Sequence, residues 1–96
     1  MAKWMKANGD VIDVTPKNDG KQFTLDELKE FVGGFIEYVY LPNCKQVIIV
    51  NEDGKLMNLP YNTVATEVMA LAFQPNSVND FIVGDALLCE IGTEIE

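Results

Sequence analysis

The segment QVIIVN, residues Gln46–Asn51, decides how this chain folds. Its four central residues are all apolar, and no polar residue alternates with them. A strand with one face in water shows alternation, whereas an unbroken apolar run is typical of a strand that is covered on both faces. The segment therefore predicts an interior strand of a sheet.

Other strands are predicted on both sides of this one. Asn8-Gly9 separates residues 4–7 from Val11–Val14, and Asn-Gly between apolar runs indicates a tight hairpin, because both positions tolerate positive φ. The remaining strands are expected at residues 35–41, at residues 55–59 and, closing the sheet, at residues 81–83 and 86–91 with Gly84-Asp85 between them as a bulge or tight bend.

Two helices are predicted. The first begins after Thr24, which forms a T-x-x-E capping box with Glu27, and it ends at Gly33, a natural left-handed C-cap. The second covers about residues 63–73, where apolar residues recur on one face. It follows Asn62, a residue type that caps helix N-termini well.

These elements predict one small α+β domain over residues 1–96, in the order β-β-α-β-β-β-α-β. The sheet is expected to be twisted and mostly antiparallel, with about six strands and two helices. We expect both helices to cover the same face of the sheet. The opposite face would then be free for self-association, so the sequence predicts a homo-oligomer, closed by two-fold symmetry like most soluble oligomers.

Composition limits the classes of function. Hydrophobic residues make up 48% of the chain, too many for a disordered segment. Fifteen acidic residues stand against seven lysines, with no arginine or histidine, for a net charge of -8. An acidic surface repels phosphate backbones, so we expect no nucleic-acid binding. Without histidine the chain lacks the commonest general base and metal ligand, so we expect neither an enzyme nor a metal or cofactor.

The same sequence predicts a protein of the cytoplasm. No apolar run approaches the ~20 residues of a membrane helix, so we expect no membrane contact. The N-terminus, MAKWMKANGD, has no signal-peptide core. Cys44 and Cys89 have no metal-type spacing, and in a reducing cytosol they are expected to be two buried free thiols.

The candidate site is the junction before the second helix, where Tyr61, Asn62 and Thr63 follow Pro60. In one interpretation Asn62 only caps the helix, and Asn62→Asp should then keep the fold stable. In the other, the N–H groups of the helix start hold an anion, and Tyr61 stacks on the ligand. Asp85, at the second bend, could bind a hydroxyl or amine of that ligand. Such a site needs Lys3, Lys6, Lys55 or other lysines nearby to offset the acidic surface.

Three segments carry a resemblance: TLDELKEFVGGFIEYV, VIIVNEDGKLMNLPYNTVATEVM and DFIVGDALL. They contain a capped helix ending in Gly-Gly, then N-E-x-G-K, L-P-x-N with A-T after it, and I-V-G-D. In that order they resemble a family of short phage, prophage and bacterial proteins known only as a domain of unknown function. The likeness spans residues 24–88. Proteins with this pattern often carry a basic residue after the Asn of L-P-x-N, whereas this chain has Thr63.

The resemblance implies a mobile-element origin, which is typical of factors that counter host defence. We therefore expect a non-enzymatic binder that sequesters a nucleotide-derived immune signal in the host cytoplasm. Its ligand site would comprise Tyr61, Asn62, Thr63 and Asp85. The alternative is an inhibitor of a host defence protein or nuclease that uses its acidic surface to compete for a basic groove.

Overall fold

The computed structural model describes residues 2–17, 21–42, 44–74 and 80–95. In chain order its elements are β1 (Ala2–Met5), β2 (Val11–Val14), α1 (Leu25–Val32), β3 (Ile36–Tyr40), β4 (Gln46–Asn51), α2 (Thr63–Ala72) and β5 (Ala86–Glu90). The strands form one antiparallel sheet in the order β2-β1-β5-β4-β3. The predicted α+β class with two helices is confirmed. Of the described residues, five strands rather than six belong to the sheet.

The difference lies at residues 55–59, which were expected to form a strand and instead form turns. Short backbone bonds coil this segment: the N–H of Met57 donates to the carbonyl of Asp53 at 2.9 Å, and that of Leu59 donates to Gly54 at 3.0 Å. Asn58 adopts a positive φ of 55°. Because these backbone groups bond locally, they are not available to a neighbouring strand. Farther along, Val83 makes only an isolated bridge, to Tyr61.

The β1–β2 hairpin is confirmed, with Trp4 opposite Ile12 and Met5 opposite Val11. Gly9 has a φ of 101°, which the Asn-Gly turn predicted. The strand before the turn spans Ala2–Met5, so it lies two residues earlier than expected. This hairpin joins the sheet through β1, which pairs with β5 at Trp4 and Leu87.

β4 is covered on both faces, as its sequence predicted. Val47 and Ile49 belong to a core cluster that includes Leu28 and Val32 of α1. Ile48 and Val50 belong to a second cluster that includes residues of α2. Side chains of a strand alternate between its two faces, so the two helices lie on opposite faces of the sheet. The expectation that both helices share one face, leaving the other for self-association, is therefore wrong.

The physical reason is the number of apolar side chains that need cover. Val47, Ile48 and Ile49 are fully buried, and Val50 is 8% exposed. One helix layer could bury only alternate residues of this run. Since α1 and α2 each cover one half, the molecule has three layers, with the sheet between the helices.

Within the described residues, no helix is long and apolar enough to cross a membrane.

The first helix has the predicted caps. Thr24 Oγ1 accepts from the N–H of Glu27 at 3.2 Å, and Glu27 Oε1 accepts from the N–H of Thr24 at 2.9 Å. Gly33 ends the helix in the left-handed region, with φ 79°. The hydrogen bond from the Thr24 backbone is the main cause that lowers the pKa of Glu27. The contribution of this carboxylate to stability is therefore present near neutral pH and is lost as the pH falls through the lowered pKa.

Thr24→Ala should lower the free energy of unfolding by ~0.5–2 kcal/mol, because it removes the side-chain acceptor for the Glu27 N–H. Urea denaturation at neutral pH measures this change. Thr24→Ser is the control, since its hydroxyl keeps the same bond, and it should stay close to the wild type. An alanine variant as stable as the serine variant would contradict a stabilising role for this cap.

Candidate functional site

The junction before α2 is organised by Asn62, whose side chain is fully buried. Its Oδ1 accepts from the N–H of Ala65 at 3.0 Å, which is the N-cap bond. Its Nδ2 donates to the carbonyl of Met5 at 2.9 Å and to that of Gly84 at 2.8 Å. One amide therefore joins the start of α2, the end of β1 and the bend before β5.

These contacts confirm that Asn62 caps α2 and correct one expectation drawn from it. Aspartate caps helices as well as asparagine does, but it has no N–H to donate. In Asn62→Asp a carboxylate oxygen would face the carbonyls of Met5 and Gly84 at hydrogen-bonding distance. With these contacts, we expect the substitution to destabilise the fold rather than to leave it stable.

Asp85 is half-buried at the other side of the bend. Its Oδ1 accepts from the N–H of Ala7 at 2.9 Å and so holds the β1–β2 hairpin against the start of β5. Gly84 has a φ of 76° and donates its N–H to the carbonyl of Pro60 at 2.6 Å. A Cβ built on Gly84 would lie 2.7 Å from Leu59 Cδ1. The bend expected at this position is thus present, and its close backbone approach favours glycine.

The solvent-exposed part of the junction is aromatic. Tyr61 is 53% exposed, and its ring stacks on Phe81, which is 44% exposed, with ring centroids 5.9 Å apart and an interplanar angle of 27°. Lys55 Nζ lies 4.5 Å from the centre of the Phe81 ring. We call Tyr61, Phe81 and Lys55 the aromatic platform.

The lysine of this platform is paired with a carboxylate. Asp80 forms an exposed ion pair with Lys55. The hydrogen bond from Lys55 is the main cause that lowers the pKa of Asp80. Because both side chains are more than half exposed, the pair contributes little to stability, and Lys55 can exchange Asp80 for another anion at small cost.

Two cavities adjoin the platform. A groove of about 300 Å³ is lined by Lys55, Asn58, Leu59, Tyr61, Phe81 and Val83. A smaller cavity, of about 130 Å³, lies between Phe81 and the ends of β3 and β4 and includes Glu37 and Glu52 in its wall. The platform therefore separates an aromatic groove from a more acidic cavity.

The four residues predicted to bind a ligand lie in different surroundings. Tyr61 is exposed and lines the groove. Thr63 is exposed at the first position of α2. Asn62 and Asp85 direct their side-chain hydrogen bonds to backbone groups. The structure brings residues 60–62 next to residues 82–84, since the N–H of Asn62 also donates to the carbonyl of Ile82 at 2.8 Å.

Phe81 was missed as a site residue. Phe81 lies two residues before Val83 in the F-I-V-G-D segment. Val83 pairs with Tyr61 across an isolated bridge, and this pairing brings Phe81 beside Tyr61. Of the three lysines named as candidates, Lys55 lies on the platform. Lys3 pairs with Asp13, and Lys6 lies over the ring of Trp4 at 4.8 Å.

The cysteines are both free, as expected, but only Cys89 is buried. Burial raises the pKa of the Cys89 thiol to about 12, so it is protonated at neutral pH. Cys44 is exposed, which corrects the expectation of two buried thiols. It lies in the bend between β3 and β4, where its thiol donates to the carbonyl of Leu41 at 3.7 Å. Among the described residues, no group of three or more acidic, cysteine or histidine side chains is arranged to hold a metal ion.

None of the curated proteins and none of the solved structures matches this chain. One protein family does, over residues 5–96. The matched residues include β2 to β5, both helices and every residue of the aromatic platform. They also include the three segments that carried the resemblance to a family of uncharacterised domains. The chain belongs to the family described as Domain of unknown function (DUF3846).

Proposed function

We propose that this protein is a non-enzymatic binder that sequesters a small nucleotide-type ligand on the aromatic platform. The observation that carries the proposal is the exposed stack of Tyr61 on Phe81 with a lysine over it. Burying aromatic rings of this size is favourable, so exposed rings side by side form a surface that a ligand can cover. Here two of them are adjacent, and a groove of about 300 Å³ runs beside them.

The rings suit a planar base. Each of the two leaves about half of its surface to solvent, so a base can stack on an outer face without displacing the other ring. Stacking of a base on an aromatic side chain contributes ~1–3 kcal/mol and tolerates different bases. This part of the site therefore favours a planar heterocycle without strict base selectivity.

The start of α2 and Lys55 suit the anionic part of such a ligand. Among the described residues, no oxygen accepts from the N–H groups of Thr63 and Val64. The first turn of α2 also carries no acidic residue. Free N–H groups and the dipole at a helix N-terminus attract phosphate. Lys55 lines the groove beside the platform and would offset part of the -8 net charge of the chain near the ligand.

The mechanism is mass action. A protein that holds its ligand without cleaving it lowers the free concentration of that ligand in proportion to the number of sites. We propose that the ligand is a nucleotide-derived immune signal of a host cell and that the protein serves a phage or another mobile element. The sequence resemblance to short phage and prophage proteins supports this assignment.

Tyr61→Ala should weaken nucleotide binding about 5- to 150-fold, which corresponds to the loss of one stacking contact of ~1–3 kcal/mol. Calorimetry measures this with adenosine monophosphate, cyclic di-adenosine monophosphate and cyclic adenosine diphosphate ribose as probes. Tyr40→Ala is the matched control, because Tyr40 is 59% exposed but lies on β3, away from the platform. It should bind as the wild type does.

Chromatography of the probe after incubation tests the non-enzymatic part of the proposal. The bound nucleotide should be recovered intact on denaturation. Conversion of the probe would overturn that part. Absence of binding for every probe, or equal binding by the wild type and Tyr61→Ala, would overturn the site.

One observation favours the alternative of an acidic protein inhibitor. Leu56 is 86% exposed and Met57 is 54% exposed, in the turn that follows Glu52 and Asp53. An apolar tip with carboxylates beside it matches a partner groove that is apolar at its centre and basic at its rim. A chain that binds no nucleotide probe, yet loses its biological effect on Leu56→Ser, would support this function instead.

A further inference from the structure

β3 forms one outer edge of the sheet, because among the described strands it pairs with β4 alone. The N–H of Leu41 donates to Gln46, and the N–H of Glu52 donates to Phe35. In an antiparallel ladder such bonds recur at every second residue, so Glu37 and Val39 also bond towards β4. The backbone N–H and carbonyl groups of the residues between them therefore point away from the sheet; these residues are Ile36, Tyr38 and Tyr40.

Natural sheets usually protect such an edge with lysine, proline, a bulge or a very short strand. β3 has five residues and the sequence IEYVY, with no lysine or proline. Its register with β4 is continuous from Ile36 to Tyr40, without a bulge. The opposite edge differs: β2 has four residues, and Asp13 within it pairs with Lys3. Of the two edges, β3 is the longer, and no ion pair between described residues lies on it.

The side chains beside this edge are apolar and exposed. Tyr38 and Tyr40 lie opposite Ile49 and Val47, so they project on the face covered by α1. Their rings contact each other edge to face, with centroids 5.8 Å apart. Phe35 is 63% exposed and Leu25 is 58% exposed. A shallow cavity lies between Tyr38 and Leu25. Such a surface favours association with another sheet edge.

We propose that β3 pairs with β3 of a second copy of this chain, antiparallel and around a two-fold axis at Tyr38, so that the two sheets become continuous. The sequence of the strand favours a second copy as the partner. Pairing about Tyr38 places Tyr40 opposite Ile36 of the partner subunit, so aromatic and aliphatic side chains meet on the α1 face. Glu37 lies opposite Val39 of the partner subunit, so no like charges are opposed.

The same strand disfavours the neighbouring registers. An axis at Glu37 would place two carboxylates directly opposite each other, which is destabilising. An axis at Val39 would place Ile36 opposite a proline, residue 42 of the second copy, which has no N–H to donate to the carbonyl of Ile36. Only the axis at Tyr38 lets every outward group of Ile36, Tyr38 and Tyr40 form a bond. This interface uses the edge of the sheet, not the face that was expected to be free.

A disulfide test distinguishes this register from a non-specific contact. In the proposed dimer the two copies of residue 38 form a hydrogen-bonded pair with Cα atoms about 5.5 Å apart, within the range that a disulfide spans. Tyr38→Cys, made in a Cys44→Ser background to remove the exposed thiol, should therefore give a covalent dimer on mild oxidation. Non-reducing gel electrophoresis detects it.

Tyr40→Cys in the same background is the matched control. Residue 40 is exposed on the same face of the same strand. In the proposed register, however, its two copies lie four positions apart along the strands, about 14 Å, which a disulfide cannot bridge. This variant should remain uncrosslinked. Equal crosslinking of both variants, or of neither, would overturn the proposed register.

Light scattering at about 100 µM tests the association itself. The wild type should have twice the mass of the 10.7 kDa chain. Tyr38→Pro removes an N–H that points away from β4, which an edge strand tolerates, so this variant should be a folded monomer. Circular dichroism checks that the variant is folded. A monomeric wild type, or a folded Tyr38→Pro dimer, would overturn the proposal.

Discussion

Asn62→Asp should lower the free energy of unfolding at neutral pH by about 3–5 kcal/mol, enough to unfold much of a small domain. The amide of Asn62 donates two hydrogen bonds inside the core, to the carbonyls of Met5 and Gly84. A carboxylate at the same place would remove both of these hydrogen bonds and bury an unpaired charge against the two carbonyls. Urea denaturation of the purified variant measures the loss.

The pH dependence identifies the cause. Burial against two carbonyl oxygens should raise the pKa of the new carboxyl above its value in the unfolded chain. A raised folded-state pKa destabilises the fold at high pH, and this penalty shrinks as the pH falls from the folded-state pKa towards the unfolded-state pKa. The difference in stability between the variant and the wild type should therefore be smaller at pH 4 than at pH 7.

Thr24→Asp is the matched control, because Thr24 also caps a helix but is exposed and donates nothing into the core through its side chain. The aspartate can still accept from the N–H of Glu27, so this variant should stay within about 1 kcal/mol of the wild type. If Asn62→Asp lowered the free energy of unfolding as little as Thr24→Asp, capping would be the only stabilising role of Asn62. The two hydrogen bonds that its Nδ2 donates would then not contribute to stability.

Asn62 also shows what the sequence could and could not predict. The cap was predictable, because a cap depends on residues within one helical turn. The two other bonds join Asn62 to a strand 57 positions earlier and to a bend 22 positions later. Local patterns carry no information about such distances. The same holds for the platform, where Tyr61, Phe81 and Lys55 come from three separate segments.

The fold likewise has features that the sequence predicts and features that it does not. The capping box at Thr24, the left-handed Gly33 and the Asn-Gly hairpin are set by neighbouring residues, and all three are confirmed. Residues 55–59 were expected to form a strand, but their backbone bonds within the turn instead. Propensity is a weak guide where local turn bonds compete with pairing. The class of the fold was therefore predictable, while its strand count was not.

The placement of the helices depends on a tertiary choice that the elements alone do not reveal. α1 connects β2 to β3, and α2 connects β4 to β5. Each could pack on either face without a change in its own amphipathic pattern. The apolar run of β4 contains the missing constraint, because it requires cover on both faces. A strand that needs cover on both faces needs one helix on each face, so this constraint predicts three layers.

The three-layer arrangement makes a paired prediction for β4. Ile48→Ala and Ile49→Ala should each lower the free energy of unfolding by about 2–5 kcal/mol, the usual cost of truncating a buried aliphatic side chain. Both side chains are fully buried, but Ile48 lies in the core on the α2 side and Ile49 in the core on the α1 side. Urea denaturation of the two variants measures the two cores separately.

Ile12→Ala is the matched control, since it removes the same atoms from β2, where Ile12 is 41% exposed. It should cost less than about 1 kcal/mol, because a half-exposed side chain loses less burial and leaves no closed cavity. A sheet covered on one face only would make one of the two β4 variants as mild as this control. Large and similar losses in both β4 variants require a well-packed layer on each side of the sheet.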